Sequence, residues 1–404
     1  MTLVETIGDA AVSTSTSPEV PTEKTGLRQA LIAQREYTLA LYADLPSAYW
    51  HPHRFPLRTT INPPLWELAH IAWFQEFFAL RWRAGDESGS RRPSCLSVAD
   101  QLFDSGRVPH EARWQLDYPS KAECFDYMQL VLENVVQALE KSGEADRYGF
   151  QLVLLHEDMH AEALAMTLVT LGQALPSVIP RRSKIGPCLA PSAGLHIAGG
   201  LTRMGVRADA FGFDNEKPPH QVRLEPFDID ARVVSAAEFA AFCASSAYFE
   251  PRFWSAEGNA WRESGLRIDQ HPARTGQSAE LAAMHLTYFE AEAYCKWQNR
   301  RLPTEAEWEC AATSSNEFSG STGHVWEWTA SPFAAYPGFK AERYREYSAP
   351  WFQSPGVRYQ VLKGGSFVTH PRLKYPQYRN FYTPDRDDMF CGFRTCAIQY
   401  CRHK

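Results

Sequence analysis

Apolar residues recur at three- and four-residue steps through the first 172 positions, and four stretches hold that period long enough to be helices. "LRQALIAQREYTLALYADL" (27–45) is the first. "PPLWELAHIAWFQEFFALRW" (63–82) is the second, with prolines at its start, where a missing N–H costs no helical hydrogen bond. "KAECFDYMQLVLENVVQALEKSG" (121–143) follows Ser120, an expected N-cap, and stops at a glycine. "YGFQLVLLHEDMHAEALAMTLVTLG" (148–172) stops at Gly172. Four amphipathic helices of this length predict a four-helix bundle, whose core is a common place for metal sites. Beyond them the period breaks. "QALPSVIPRRSKIGPCLAPSAG" (173–194), rich in Pro and Gly, predicts a linker. Then come short β-like pieces ("HQVRLEPFDID", "YQVLKGGSF"), helices ("SAAEFAAFCASS", "TYFEAEAYCKWQNR") and long irregular loops, which predict an α+β domain. The expected division is a disordered tail at 1–24, a helical bundle at 25–180 and the α+β domain at 190–404.

The 404 residues exceed what one compact core usually holds, in keeping with two domains. Hydrophobic residues at 44% and charged residues at 22% are ordinary for a globular protein. The net charge of −6 argues against a nucleic-acid surface and against a polybasic membrane patch. The first 26 residues are rich in Ser, Thr and Pro and lack an apolar signal region. No run approaches the length of apolar residues needed to span a bilayer. Nine scattered cysteines, an odd number, are expected as free thiols in a reducing cytoplasm. Cys391, Cys396 and Cys401 match no zinc spacing and are expected as ordinary thiols.

"LLHEDMHAEAL" (154–164) places His156 and His160 about one helical turn apart, on one face. Such a pair alone is weak, since helical histidines often sit at surfaces or in satisfied cores. His70, in "LWELAHIAWF", adds a third imidazole on another apolar bundle helix. Burying three imidazoles without partners would cost a few kcal/mol, which a shared metal ion removes. Three neutral nitrogens serve zinc hydrolysis and iron–oxygen chemistry alike. Glu162 lies two residues past His160, roughly 200° around the helix, so it is expected as a partner of a ligand or a surface carboxylate.

These residues resemble a known family. "HEDMHAE", with the preceding "LWELAHIAWFQE" helix, is similar to the HxxxHxE motif and first histidine of the ergothioneine-pathway sulfoxide synthases, whose helical part is a DinB-like four-helix bundle. The second half resembles the formylglycine-generating-enzyme-like, C-type-lectin-like domain through "GFDNEKPPHQVRLEPFDI" (212–229), "RLPTEAEWECAA" (301–312), "GHVWEWTASPF" (323–333), "LKGGSF" (362–367) and "CGFRTC" (391–396). The resemblance covers about residues 27–404. It implies a mononuclear non-haem iron(II) held by His70, His156 and His160, with O2 as co-substrate. The implied reaction joins a chalcogen to C2 of the imidazole of hercynine, the trimethylated betaine of histidine. It further implies that Asn380 and Phe381, in "RNFYTPDR", help bind hercynine, the aromatic face suiting a quaternary ammonium. A tyrosine proton or electron donor is implied in the region of Tyr375, Tyr378 and Tyr382. The active site is then expected between the two domains. Trp308, Trp326 and Trp328 are expected to be structural.

The chain departs from that pattern on the donor side. Tyr382 stands where the synthases that use γ-glutamylcysteine carry an ammonium-binding aspartate. In "DQLFDSGRVPHEARW" (100–114), Arg113 fits one of two carboxylate-clamping arginines while the other falls on His110. Met159 replaces a glutamine on the hercynine side. Losing charge-assisted partners, worth about 1.5–3 kcal/mol each, selects against a zwitterionic thiol. The chain is most similar to the selenoneine synthase branch, which implies a selenosugar donor and a carbon–selenium bond. The alternatives are cysteine or γ-glutamylcysteine bound through Arg81, Arg83 or Arg107, a zinc hydrolase, or a ligand-binding module. No methyltransferase segment follows residue 404, so an ovothiol-type fusion is not expected.

Overall fold

The computed structural model describes residues 20–82, 92–182, 194–264, 278–319 and 322–398. It contains two compact units, Glu19–Ile179 and Pro180–Lys404. In the first, α1 (Lys24–Tyr42), α2 (Pro64–Gln75), the short α3 (Ala99–Leu102), α4 (Lys121–Lys141) and α5 (Arg147–Thr170) follow in order. The four long helices coincide with the four apolar-periodic stretches. The expected tail ends sooner than residue 24: Val20 is buried and the Pro21 carbonyl accepts from the Gln151 side chain at 3.1 Å. Residues 1–19 lie outside the described residues.

Helix α2 is the central one. It packs against both α4 and α5, and every residue from Pro64 to Gln75 is buried. That explains a helix apolar all round rather than on one stripe. It continues into a π-helical turn at Glu76–Arg81, which its periodicity did not reveal. Ser120 caps α4 in a capping box with Glu123, an arrangement worth about 1 kcal/mol. Helix α5 ends where Gly172 turns to φ +68, its N–H reaching Val169 O at 2.9 Å while Gln173 N–H reaches Leu168 O at 2.8 Å. Glycine meets that left-handed position without strain.

One buried knot joins all four long helices. Arg35 of α1 donates from Nε to Glu157 of α5 at 2.8 Å, to the Met128 carbonyl of α4 at 2.7 Å and to Gln75 of α2 at 2.8 Å. Gln75 donates in turn to Glu157 at 2.7 Å. Every charge in the knot therefore has a partner, which low-dielectric burial demands.

The second unit is α+β. Its strands are β1 (Gly194–Ile197), β2 (Gly200–Met204), β3 (His220–Leu224), β4 (Phe227–Asp230), β5 (Arg300–Arg301), β6 (Trp326–Pro332), β7 (Gln360–Lys363), β8 (Asn380–Tyr382), β9 (Cys391–Gly392) and β10 (Cys396–Ala397). They form one sheet of order β1-β4-β10-β5, a β2-β3 pair and another sheet of order β8-β7-β6-β9. Three of the quoted motifs converge inside it. Glu327 of "WEW" accepts from Trp308 Nε1 of "RLPTEAEWE" at 2.7 Å and from both arms of Arg394 of "CGFRTC". Trp308, Trp326 and Trp328 are all buried, in line with a structural role. A Cβ on Gly364 of "LKGGSF" would stand 2.9 Å from Trp308 Cζ2, and its φ is +91, so only glycine fits there. Cys391 and Cys396 are buried free thiols; Cys401 lies outside the described residues. Among the described residues, no helix is long and apolar enough to cross a membrane.

Candidate metal centre

His70 on α2 and His156 and His160 on α5 converge in the bundle, with one nitrogen of each lying within 4.8 Å of the others. The ring centroids of His70 stand 5.2 Å from His156 and 5.1 Å from His160. The α5 pair is 4.5 Å apart, as one helical turn requires. Next to His156, Glu157 accepts from Gln75 at 2.7 Å and so ties α5 to α2.

Each ring is held from behind. His70 Nδ1 stands 2.8 Å from the Phe103 carbonyl, which can only accept, so Nδ1 carries the hydrogen and Nε2 keeps its lone pair. His160 Nδ1 stands 2.8 Å from the carboxylate of Glu67, itself 1% exposed. His156 lies flat on Phe74, with ring centroids 3.4 Å apart. Burial first, and the neighbouring His160 second, hold His70 well below the usual imidazole range; burial, then His160 and His70, do the same for His156. Both imidazoles are therefore neutral and able to donate lone pairs. A cluster of three imidazoles, two of them fixed by outer hydrogen bonds, fits a divalent transition metal with open positions.

Glu67 did not stand out in the sequence. It sits in the first turn of α2, where an acid is expected for the helix dipole alone, and its partner is 93 residues away. Glu162 is buried, so the surface-carboxylate alternative for it is withdrawn. Glu67→Ala should weaken divalent-metal binding about 10- to 100-fold, the usual cost of losing an outer partner. Glu67→Gln should recover part of that, because its amide oxygen still accepts from His160. Chelator competition reads both.

Around the cluster the bundle also carries the donor-side candidates. The guanidinium of Arg113 lies 3.8 Å over the ring of Trp66, which stacks on His70 at 4.8 Å. Arg113 donates to Asn62 Oδ1 at 2.7 Å, and burial lowers its pKa. His110 Nε2 is 2.8 Å from the Ile61 carbonyl. Met159 is half-buried on α5. Of the substitute arginines, Arg81 is buried and grips Asp100 through two N–H groups, while Arg107 is exposed beside Asp104. Arg83 lies outside the described residues.

The remaining candidates belong to the second unit. Asn380 opens β8 and its Oδ1 accepts the Phe381 N–H at 2.9 Å. Phe381 stacks on Phe333 at 3.8 Å, with Tyr347 and Tyr359 each 5.8 Å away. That aromatic surround came from loops with no readable period. Tyr375 is buried and donates to Glu216. Tyr378 is buried with its hydroxyl 3.0 Å from that of Tyr347, and burial pushes it well above the usual phenol range. Tyr382 is half-buried, with the Arg386 guanidinium 4.9 Å over its ring.

Comparison with known proteins agrees with this architecture. Residues 30–164 match the DinB superfamily, and residues 190–322 and 315–398 match the sulfatase-modifying factor enzyme 1-like domain. The hercynine oxygenase of Mycolicibacterium thermoresistibile is 32% identical over 433 aligned residues, covering 91% of this chain and 94% of that protein. The hercynine oxygenase of Mycolicibacterium smegmatis is 31% identical over 427, covering 91% and 97%. The formylglycine-generating enzyme of Thermomonospora curvata is 29% identical over 301, but reaches only 54% of this chain while covering 97% of its own. The similarity to the oxygenases thus runs through both units. A DinB-like helical unit joined to a formylglycine-generating-enzyme-like unit, the chain is an oxidoreductase-type enzyme of the hercynine oxygenase family.

Proposed function

We propose that the protein is an O2-dependent non-haem iron(II) synthase that joins a chalcogen atom, selenium from a selenosugar, to the imidazole C2 of hercynine. The observation that carries the iron chemistry is the cluster of His70, His156 and His160 in a family of hercynine oxygenases. Bound iron(II) would supply the redox chemistry that lets dioxygen react with a closed-shell substrate. The protein's own part is to hold and exclude. The Phe103 carbonyl and Glu67 fix two imidazoles, and Phe74 and Trp66 cover the ring faces, so ligand geometry needs no reorganisation during turnover. Asn380 and the half-buried ring of Phe381 are proposed to hold hercynine, the aromatic group around Phe381 suiting its trimethylammonium. Tyr375, Tyr378 and Tyr382 are the candidates for a proton or electron donor; Tyr375 donates to Glu216 and Tyr378 lies against the Tyr347 hydroxyl.

The donor assignment rests on groups already engaged. Arg113 is stacked on Trp66 and bonded to Asn62, His110 faces a backbone carbonyl, and Tyr382 replaces an ammonium-binding acid. Among these described residues a carboxylate–ammonium thiol has no matched pair of free partners, which favours a neutral sugar. Cysteine or γ-glutamylcysteine is the alternative donor. The test is competition with hercynine fixed and four donors offered: selenosugar, thiosugar, cysteine and γ-glutamylcysteine. The selenosugar should show the highest kcat/KM. A higher value for γ-glutamylcysteine than for either sugar overturns the donor assignment and leaves the iron chemistry standing. Unbridged buried thiols such as Cys295, Cys391 and Cys396 suit a reducing compartment, and we place the enzyme in the cytoplasm.

A further inference from the structure

His70 is sandwiched in a column of flat groups that runs along α2 at successive turns. Trp66 lies on one side at 4.8 Å with planes 7° apart, and Trp73 on the other at 5.9 Å with planes 21° apart. Trp73 continues the column to Phe77 at 5.3 Å and 10°. A cation caps each end: Arg113 stands 3.8 Å over Trp66 and Arg81 5.8 Å over Phe77. Packing alone does not require two buried indoles against one histidine of the cluster.

The two indoles differ in what receives their N–H. Trp66 Nε1 donates to the Leu102 carbonyl at 2.8 Å, which cannot take up a proton. Trp73 Nε1 donates to the Asp100 carboxylate at 2.7 Å, which can. Losing an electron makes an indole N–H strongly acidic, so an indole facing a carboxylate can oxidise without leaving a buried positive charge. Trp66 would have to hold that charge directly beneath the Arg113 cation, an unfavourable contact at low dielectric. Arg81, by contrast, has a second acid, Glu76 at 3.8 Å, beside it when Asp100 carries the proton. Electrostatics therefore selects Trp73.

We propose that Trp73, with Asp100 as its proton acceptor, is a one-electron relay into the histidine cluster that discharges hydrogen peroxide reaching it from solution when no substrate is bound. The proposal rests on the iron reading above. The oxidant is hydrogen peroxide supplied from solution. Bound iron(II) would supply the first of the two electrons that one peroxide needs, and the Trp73 indole, through His70, the second. The Nε1–H bond breaks, its proton passes to Asp100 and on to the peroxide oxygens, and one solvent proton completes two waters. A neutral indolyl radical remains on Trp73, to be reduced by cellular thiol.

The full chain, loaded anaerobically with iron(II) and its metal content measured, is mixed with hydrogen peroxide in the absence of hercynine. It is then frozen for electron paramagnetic resonance, and a parallel sample is digested for peptide mass spectrometry. The expected result is an indolyl radical, with oxygen-bearing products at Trp73 and not at Trp66. Trp73→Phe, which keeps the stack, should lose the signal. Asp100→Asn should change it from a neutral to a cationic radical or suppress it. The wild-type peptide map needs no variant, so a folding defect cannot hide the answer. Products at Trp66, or a signal surviving in Trp73→Phe, overturn the relay. Iron retained with no tryptophan oxidised overturns the relay alone, whereas iron not retained by the three histidines overturns both the relay and the iron reading.

Discussion

His156→Ala should abolish stoichiometric metal binding while leaving the helix content intact, and His160→Ala and His70→Ala should behave alike. With three protein ligands, removing one leaves two nitrogens for an ion that needs more, a greater loss than the roughly 100-fold ceiling for an outer partner. The fold survives because the four helices are held elsewhere, by the Arg35 knot and by apolar burial such as Leu31, Leu68, Val131 and Leu155. Metal analysis after gel filtration, with circular dichroism on the same samples, reads both halves of the expectation. A variant that keeps one metal per chain would place the ion elsewhere.

The largest stability effect is expected at Arg35. Arg35→Met strands Glu157, which is fully buried, and leaves the Met128 carbonyl without that donor; such losses run to about 3–5 kcal/mol. Because Gln75 and Glu157 set how α2 meets α5, the variant should also weaken metal binding although it touches no ligand. The double variant Arg35→Met/Glu157→Met should lose much less than the sum of the singles, since no charge is then left unpaired. Urea unfolding of the four forms in one cycle gives the coupling energy. Strict additivity would mean the knot is incidental.

The bundle was legible because period and punctuation agreed. The apolar step, Ser120 with Glu123, and Gly172 all pointed to helices that the structure contains. The three histidines were legible as polar groups in apolar runs of two helices, and the structure brings them together. Glu67 was not, because nothing local separates a helix-dipole acid from one gripping His160. Nor was the Arg35–Gln75–Glu157 knot, whose members lie 40 to 122 residues apart. The second unit was legible as motifs more than as strands. Two-residue elements such as β5, β9 and β10 carry no period, and the meeting of Trp308, Glu327 and Arg394 is a property of the fold, not of any segment. The aromatic surround of Phe381 was hidden for the same reason: Phe333, Tyr347 and Tyr359 come from loops between short strands.

The central claim is that the three histidines hold a redox metal for oxidative chemistry on hercynine. Oxygen consumption by the chain reconstituted anaerobically with iron(II), and in parallel with zinc(II), tests it most directly, with hercynine and a chalcogen donor added in turn. The iron form should consume O2 only when hercynine is present, in step with a product modified at the imidazole, and the zinc form should be inert. Turnover by the zinc form without O2 uptake would contradict it and return the site to hydrolytic chemistry.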